Sequence, residues 1–103
     1  MRVRVLAEAA EELEQAAIWY EQQCPDLGVQ LVEAFENAVQ LLREDYPPLV
    51  GMENQAGNLG AKKILLHRFP FSVVVVKHND EFVVVALAHF ARRPEYWKER
   101  FNT

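Results

Sequence analysis

The chain has one cysteine, Cys24, in 103 residues. A lone thiol cannot close an internal disulfide, so the fold must stand on packing, which is compatible with a reducing cytoplasm. It has one serine, Ser72, and no Gly-x-Ser-x-Gly turn, which excludes a nucleophile elbow. Three of its four glycines fall within residues 47–60, and none builds a phosphate-cradling loop. No apolar run has the length of a membrane span, and the N-terminus lacks the apolar core of a signal peptide. The expectation is a cytoplasmic protein with no membrane contact. Cations are scarce in the first half. Residues 1–60 carry three Lys/Arg against eleven Asp/Glu, whereas residues 61–103 carry eight against four, for a net charge of −4. That asymmetry predicts an acidic back and a basic working side, although acidic residues on solvated helix faces account for it equally well.

What the chain does have is apolar residue: 50% is hydrophobic. At this length it is one domain, residues 1–103, with a single core of modest size. Arg2-Val3-Arg4-Val5 alternates charged and apolar, which predicts a short strand over 2–6. Leu6, Ala10, Leu13, Ala17 and Tyr20 recur at threes and fours, so residues 7–23 read as a helix with that stripe inward and Trp19 widening it. Glu8, Glu11, Glu12 and Glu14 suit its dipole. Cys24-Pro25-Asp26 breaks the helix, with Asp26 as the expected N-cap of the next and Cys24 in a structural role. From Leu27 to about Tyr46 the stripe Leu31, Phe35, Ala38, Leu42 predicts a second helix, antiparallel to the first. Pro47-Pro48 ends it. Residues 47–60 read as a loop.

The rest is strand. Residues 62–68 form one, and the runs Ser72–Val76 and Phe82–Leu87 form a hairpin around His78-Asn79-Asp80-Glu81. Regular alternation would set Phe82, Val84, Ala86 and Ala88 against Val83, Val85 and Leu87. Both sets are apolar, so both sheet faces must be covered. The helix pair covers one. A short C-terminal helix from Pro94, carrying Tyr96, Trp97, Arg100 and Phe101, is small for the other. Either the twisted sheet is covered better than that, or a partner protein or a homodimer covers it. The fold class is α+β: an N-terminal strand, an antiparallel helix hairpin, a three-stranded antiparallel meander and a short C-terminal helix.

The histidines His67, His78 and His89 are eleven residues apart, but strands running up, down and up place His78 at the end opposite the other two. No metal site is expected, and no cofactor. The residues fit for chemistry are a basic and aromatic set at one sheet end: His67, Arg68, His89, Arg92, Arg93 and Tyr96, with Lys62 and Lys63 on the neighbouring strand facing opposite ways. Cations hold phosphates, arginine stabilises phosphoryl charge, and tyrosine, histidine or lysine moves protons. The same set serves equally as a docking surface for an acidic protein, or as a solvated rim.

Lys62-Lys63-Ile64-Leu65-Leu66-His67-Arg68-Phe69-Pro70-Phe71-Ser72, followed by valines, resembles the basic strand and hairpin start of the RelE/ParE toxins of bacterial type II toxin–antitoxin systems, also called plasmid stabilisation proteins. His89-Phe90-Ala91-Arg92-Arg93-Pro94-Glu95-Tyr96-Trp97 is similar to their closing motif, and the order of elements matches over essentially the whole chain. The resemblance implies a growth-arresting protein neutralised by a cognate antitoxin that wraps around it. RelE-type members cut messenger RNA on the ribosome with a metal-free basic set; ParE-type members act on DNA gyrase. Carried over residue by residue, Lys63 matches a basic position, Arg92 or Arg93 the arginine after the last strand, and Tyr96 the C-terminal tyrosine. His89 stands by as acid or base. Leu65 and Ser72 occupy positions where the ribonucleases carry cations. The expectation is therefore a ParE-like toxin, gyrase-directed or of undetermined target, and it leans away from an enzyme. The alternatives are a ribosome-dependent, metal-independent endoribonuclease using Lys63, His89, Arg92, Arg93 and Tyr96, and a non-toxic interaction module with the same fold.

Overall fold

The computed structural model describes residues 1–44, 47–52 and 60–100. Its elements are strand β1 (Arg2–Val5), helices α1 (Ala7–Gln23) and α2 (Leu27–Arg43), strands β2 (Val50–Gly51), β3 (Ala61–Leu65), β4 (Phe71–His78) and β5 (Glu81–His89), and a 3-10 turn at Lys98–Arg100. The sheet order is β1-β5-β4-β3-β2. β1 runs parallel to β5, and the other pairs are antiparallel. The helix hairpin lies on one face. The architecture is the expected small α+β domain.

α2 keeps its predicted stripe, with Leu31, Phe35, Ala38 and Leu42 all buried. It ends at Arg43, and Tyr46 lies outside the described residues. In α1 the stripe sits differently: Ala9 is fully buried while Ala10 faces solvent. Trp19 does not widen the buried face. It is 56% exposed and lies edge-on to Tyr20. Cys24 is exposed.

Asp26 does not cap α2 with its side chain. Its backbone is left-handed (φ 76°), and Glu21, from the last turn of α1, does the capping. The Glu21 carboxylate accepts the Asp26 N–H at 2.7 Å and the Gly28 N–H at 2.9 Å. The link between the helices is so short that α1 itself reaches the free amides of α2. Those two hydrogen bonds, the one to Asp26 first, hold the Glu21 carboxyl below its ordinary pKa.

The 47–60 stretch is not all loop: Val50–Gly51 adds a two-residue edge strand to β3 opposite Lys62 and Lys63. Residues 53–59 lie outside the described ones. β3 stops at Leu65, short of Arg68, whose backbone is left-handed (φ 77°) as the chain turns through Phe69-Pro70. The β4–β5 turn pairs His78 with Glu81, and Asn79, a residue that tolerates the left-handed region, takes φ 54°.

The largest departure from regular alternation lies in β5. Val75 pairs with Val84 and Val74 with Ala86, so Val85 is an extra residue, a bulge. Beyond it the faces exchange. Leu87 joins Phe82 and Val84 on the helix side, while Val85, Ala86 and Ala88 face away with Val83. One inserted residue moves every later side chain to the opposite face.

The second face is covered within the chain. Val74, Val76, Val83, Val85 and Ala86 pack with Trp97, which is 2% exposed, and with Leu6, Met52 and Tyr96. The segment from Pro94 is not the expected α-helix. Glu95 is left-handed (φ 65°), and the amides of Tyr96, Lys98 and Arg100 bond three residues back. The segment so turned buries Trp97 against the valines of the second face. Phe101 lies outside the described residues.

Candidate functional site

On the second face the cross-strand pairs are Ala61 with Val76, Lys63 with Val74, and Leu65 with Ser72. Lys63 therefore stands on the same face as Trp97, and Lys62 points to the helix side beside Val75 and Phe82. The chain leaving β5 turns at Arg92, whose N–H bonds to the His89 carbonyl at 3.0 Å, and returns over this face. The result is a pocket of about 330 Å³ whose polar lining is Lys63, Ser72, His89, Arg92, Arg93, Glu95 and Tyr96, with Trp97 among its apolar walls.

All five residues singled out from the sequence thus line one pocket: Lys63, His89, Arg92, Arg93 and Tyr96. His89 borders the pocket, but the bulge at Val85 turns its side chain toward the helix side. It pairs with Phe71, lies edge-on to that ring at 5.1 Å, and its Nδ1 accepts the Ala91 N–H at 2.9 Å. His67 and Arg68 are elsewhere. His67 lines a groove between α2 and β3, and Arg68 donates to Gln30 Oε1 at 2.6 Å. Ser72 lines the pocket and Leu65 lines the α2–β3 groove; neither carries a charge.

Tyr96 and Arg100 are organised by a residue that sequence reasoning did not single out, Glu12. β1 pairs with β5 only from Glu81 to Val84, and the Leu6 N–H makes the last contact, to Val84 O at 3.0 Å. Beyond that point the outer edge of β5 has no strand neighbour, so its backbone groups need other partners. The Leu87 N–H donates to Glu12 Oε1 at 3.1 Å, Arg100 Nη1 donates to Val85 O at 3.2 Å, and the Tyr96 hydroxyl lies 3.5 Å from Leu87 O. The Glu12 carboxylate also accepts the Tyr96 hydroxyl at 2.5 Å and both Arg100 nitrogens, at 2.7 and 3.2 Å. Nothing in the sequence marks Glu12 among the glutamates near it, because all its partners are distant along the chain.

Burial, and next the hydrogen bond to Glu12, hold the Tyr96 phenol well above its ordinary range; Arg100 and Arg92 pull the other way without offsetting it. The pairing with Glu12 likewise raises Arg100. Tyr96 therefore keeps its proton, and its hydroxyl is directed at Glu12. The Arg92 guanidinium sits 3.8 Å above the Tyr96 ring, a cation–π contact, and Arg92 and Arg93 are both exposed to solvent. Three cations around one neutral, proton-holding phenol suit the binding of an anionic group better than proton transfer. Among the described residues no group of three or more His, Cys, Asp or Glu could hold a metal, and no helix is long and apolar enough to cross a membrane.

No family model matches the chain, and no curated protein matches its sequence. A solved structure does share its shape. A chain of the chromosomal ParDE TA system from P. aeruginosa aligns with a TM-score of 0.72, over 86% of this chain and 95% of that one, at 19% sequence identity. At that identity the likeness is one of fold: the helix hairpin on a five-stranded, mostly antiparallel sheet is the architecture shared with that ParDE chain.

Proposed function

We propose that this chain is the toxin of a bacterial toxin–antitoxin pair, arrests growth in the cytoplasm, and is neutralised by a cognate antitoxin. The observation that carries the reading is the match to a ParDE chain along almost the full length of both. A second observation supports a protein partner. The groove between α2 and β3, about 400 Å³ in volume, is rimmed by Leu41, Val50 and Leu65, and each of these is at least 36% exposed. Apolar side chains gathered at one rim favour a covering protein.

The target that fits best is DNA gyrase or another protein. Ser72 gives the pocket on the second face no charge, Leu65 lines the α2–β3 groove instead of that pocket, and Tyr96 is engaged with Glu12. Ribosome-dependent cleavage of messenger RNA is the second reading, favoured by the gathering of Lys63, Arg92, Arg93 and Tyr96 around one pocket. Induced expression in a bacterium tests the toxin reading. Viable counts should collapse, and the gene adjacent to this one should rescue them. Unchanged viability at confirmed soluble expression would overturn it. In vitro, supercoiling by gyrase should fall with added protein. Cleavage of ribosome-bound message that Arg92→Ala or Arg93→Ala abolishes would instead establish the ribonuclease.

A further inference from the structure

The C-terminal segment from Pro94 to Arg100 has little secondary structure to place it. Its backbone makes three-residue turns around a left-handed Glu95. Trp97 holds it against the second face, the Glu12 carboxylate holds Tyr96 and Arg100, and Arg100 Nη1 also donates to Val85 O. Glu12 comes from α1, on the other side of the sheet, and reaches around the β5 edge where β1 has ended. Its carboxylate touches the β5 edge, Tyr96 and Arg100 together. The Tyr96 ring lies between two constraints. Its hydroxyl is on Glu12 and its face is under the Arg92 guanidinium.

We propose that Glu12 is the positioning residue of the cationic site: by holding Tyr96 and Arg100 it fixes the C-terminal segment, and the Tyr96 ring in turn sets where Arg92 stands. This rests on the toxin reading above, with the cationic pocket taken as the surface through which the toxin meets its target. Glu12 itself does not line the pocket, and its action passes through Tyr96.

The test uses Glu12→Gln in the full chain. The amide oxygen still accepts the Leu87 N–H, but the side chain loses the charge paired with Arg100 and the second acceptor used by Tyr96. Three NMR readouts are expected to change. The ring-current shift of the Arg92 side chain disappears, the Tyr96 phenol titrates at lower pH than in the wild type, and amide exchange from Tyr96 to Arg100 accelerates at least tenfold. Exchange in the buried β4 amides Val73–Val76 stays as in the wild type. Growth arrest by the variant falls at least tenfold in viable count. Tyr96→Phe, which keeps the ring and the Arg100–Glu12 pair, moves the Arg92 shift in the same direction and serves if Glu12→Gln does not fold. An Arg92 shift unchanged in the folded variant overturns the proposal, and so does a lost shift with undiminished growth arrest. If the wild-type protein arrests no growth, the toxin reading fails on its own, and the Arg92 shift still decides whether Glu12 positions that arginine.

Discussion

Gly28→Ala sets two ordinary effects against each other, and the structure decides the sign. Gly28 is the second residue of α2, where alanine gains up to about 1 kcal/mol over glycine in helix propensity, less near a terminus. Against that, a Cβ on Gly28 would lie 2.3 Å from the carbonyl oxygen of Ala17 in α1 and 3.0 Å from Glu21 Oε1. The first of these atoms is helix backbone and cannot rotate away. Restoring ordinary contact requires the two helices to separate by about 1 Å, and overpacking of this kind costs about 1–3 kcal/mol. The separation would also strain the hydrogen bonds through which Glu21 caps α2. The net is a destabilisation of about 1–2 kcal/mol, which for a domain of this size lowers Tm by roughly 5–15 °C. Thermal unfolding followed by circular dichroism at 222 nm (the helix band) measures it, with a urea midpoint as a second reading. A Tm equal to or above that of the wild type would show that propensity wins, and the account of a close α1–α2 crossing at Gly28 would be wrong.

Trp97→Ala removes the ring that covers the valines of the second face. A loss of about 3–5 kcal/mol is expected, read as a lowered urea midpoint with new binding of a hydrophobic dye; a change under about 1 kcal/mol would mean the face is covered by something else. Glu21 has a folded pKa below its unfolded value near 4.5, so its contribution to stability is present above that value and is lost as pH falls through the lower, folded one. Glu21→Gln should therefore flatten the acid side of the stability–pH profile measured by urea unfolding, and an acid limb as steep as the wild type's would refute the capping role.

The sequence went furthest where the determining contacts are close along the chain. The stripe Leu31, Phe35, Ala38, Leu42 gave the buried face of α2 from period alone, and the two β-branched runs around His78–Glu81 gave the hairpin. The charge asymmetry and the run from Arg92 to Tyr96 located the cationic end, and Lys63, Arg92, Arg93 and Tyr96 do line one pocket. Local signals also misled where two options were chemically similar. Asp26 is the cap that residue preference names, and only the tight α1–α2 link put Glu21 in reach.

Three features were decided by the tertiary structure alone. The bulge at Val85 exchanges the faces of Leu87 and Ala88 and turns His89 toward Phe71, and in a run of valines no residue type marks where the register slips. The C-terminal segment takes three-residue turns around a left-handed Glu95 in place of a helix, with Trp97 buried on the valines, and a few residues of helical preference are too weak to set that choice locally. Glu12 binds the β5 edge, Tyr96 and Arg100 because β1 is too short to cover that edge, a fact about where two strands end in space. Period and composition record which residues must be buried. Which backbone groups are left without partners, and which distant side chain meets them, is settled only when the sheet is assembled.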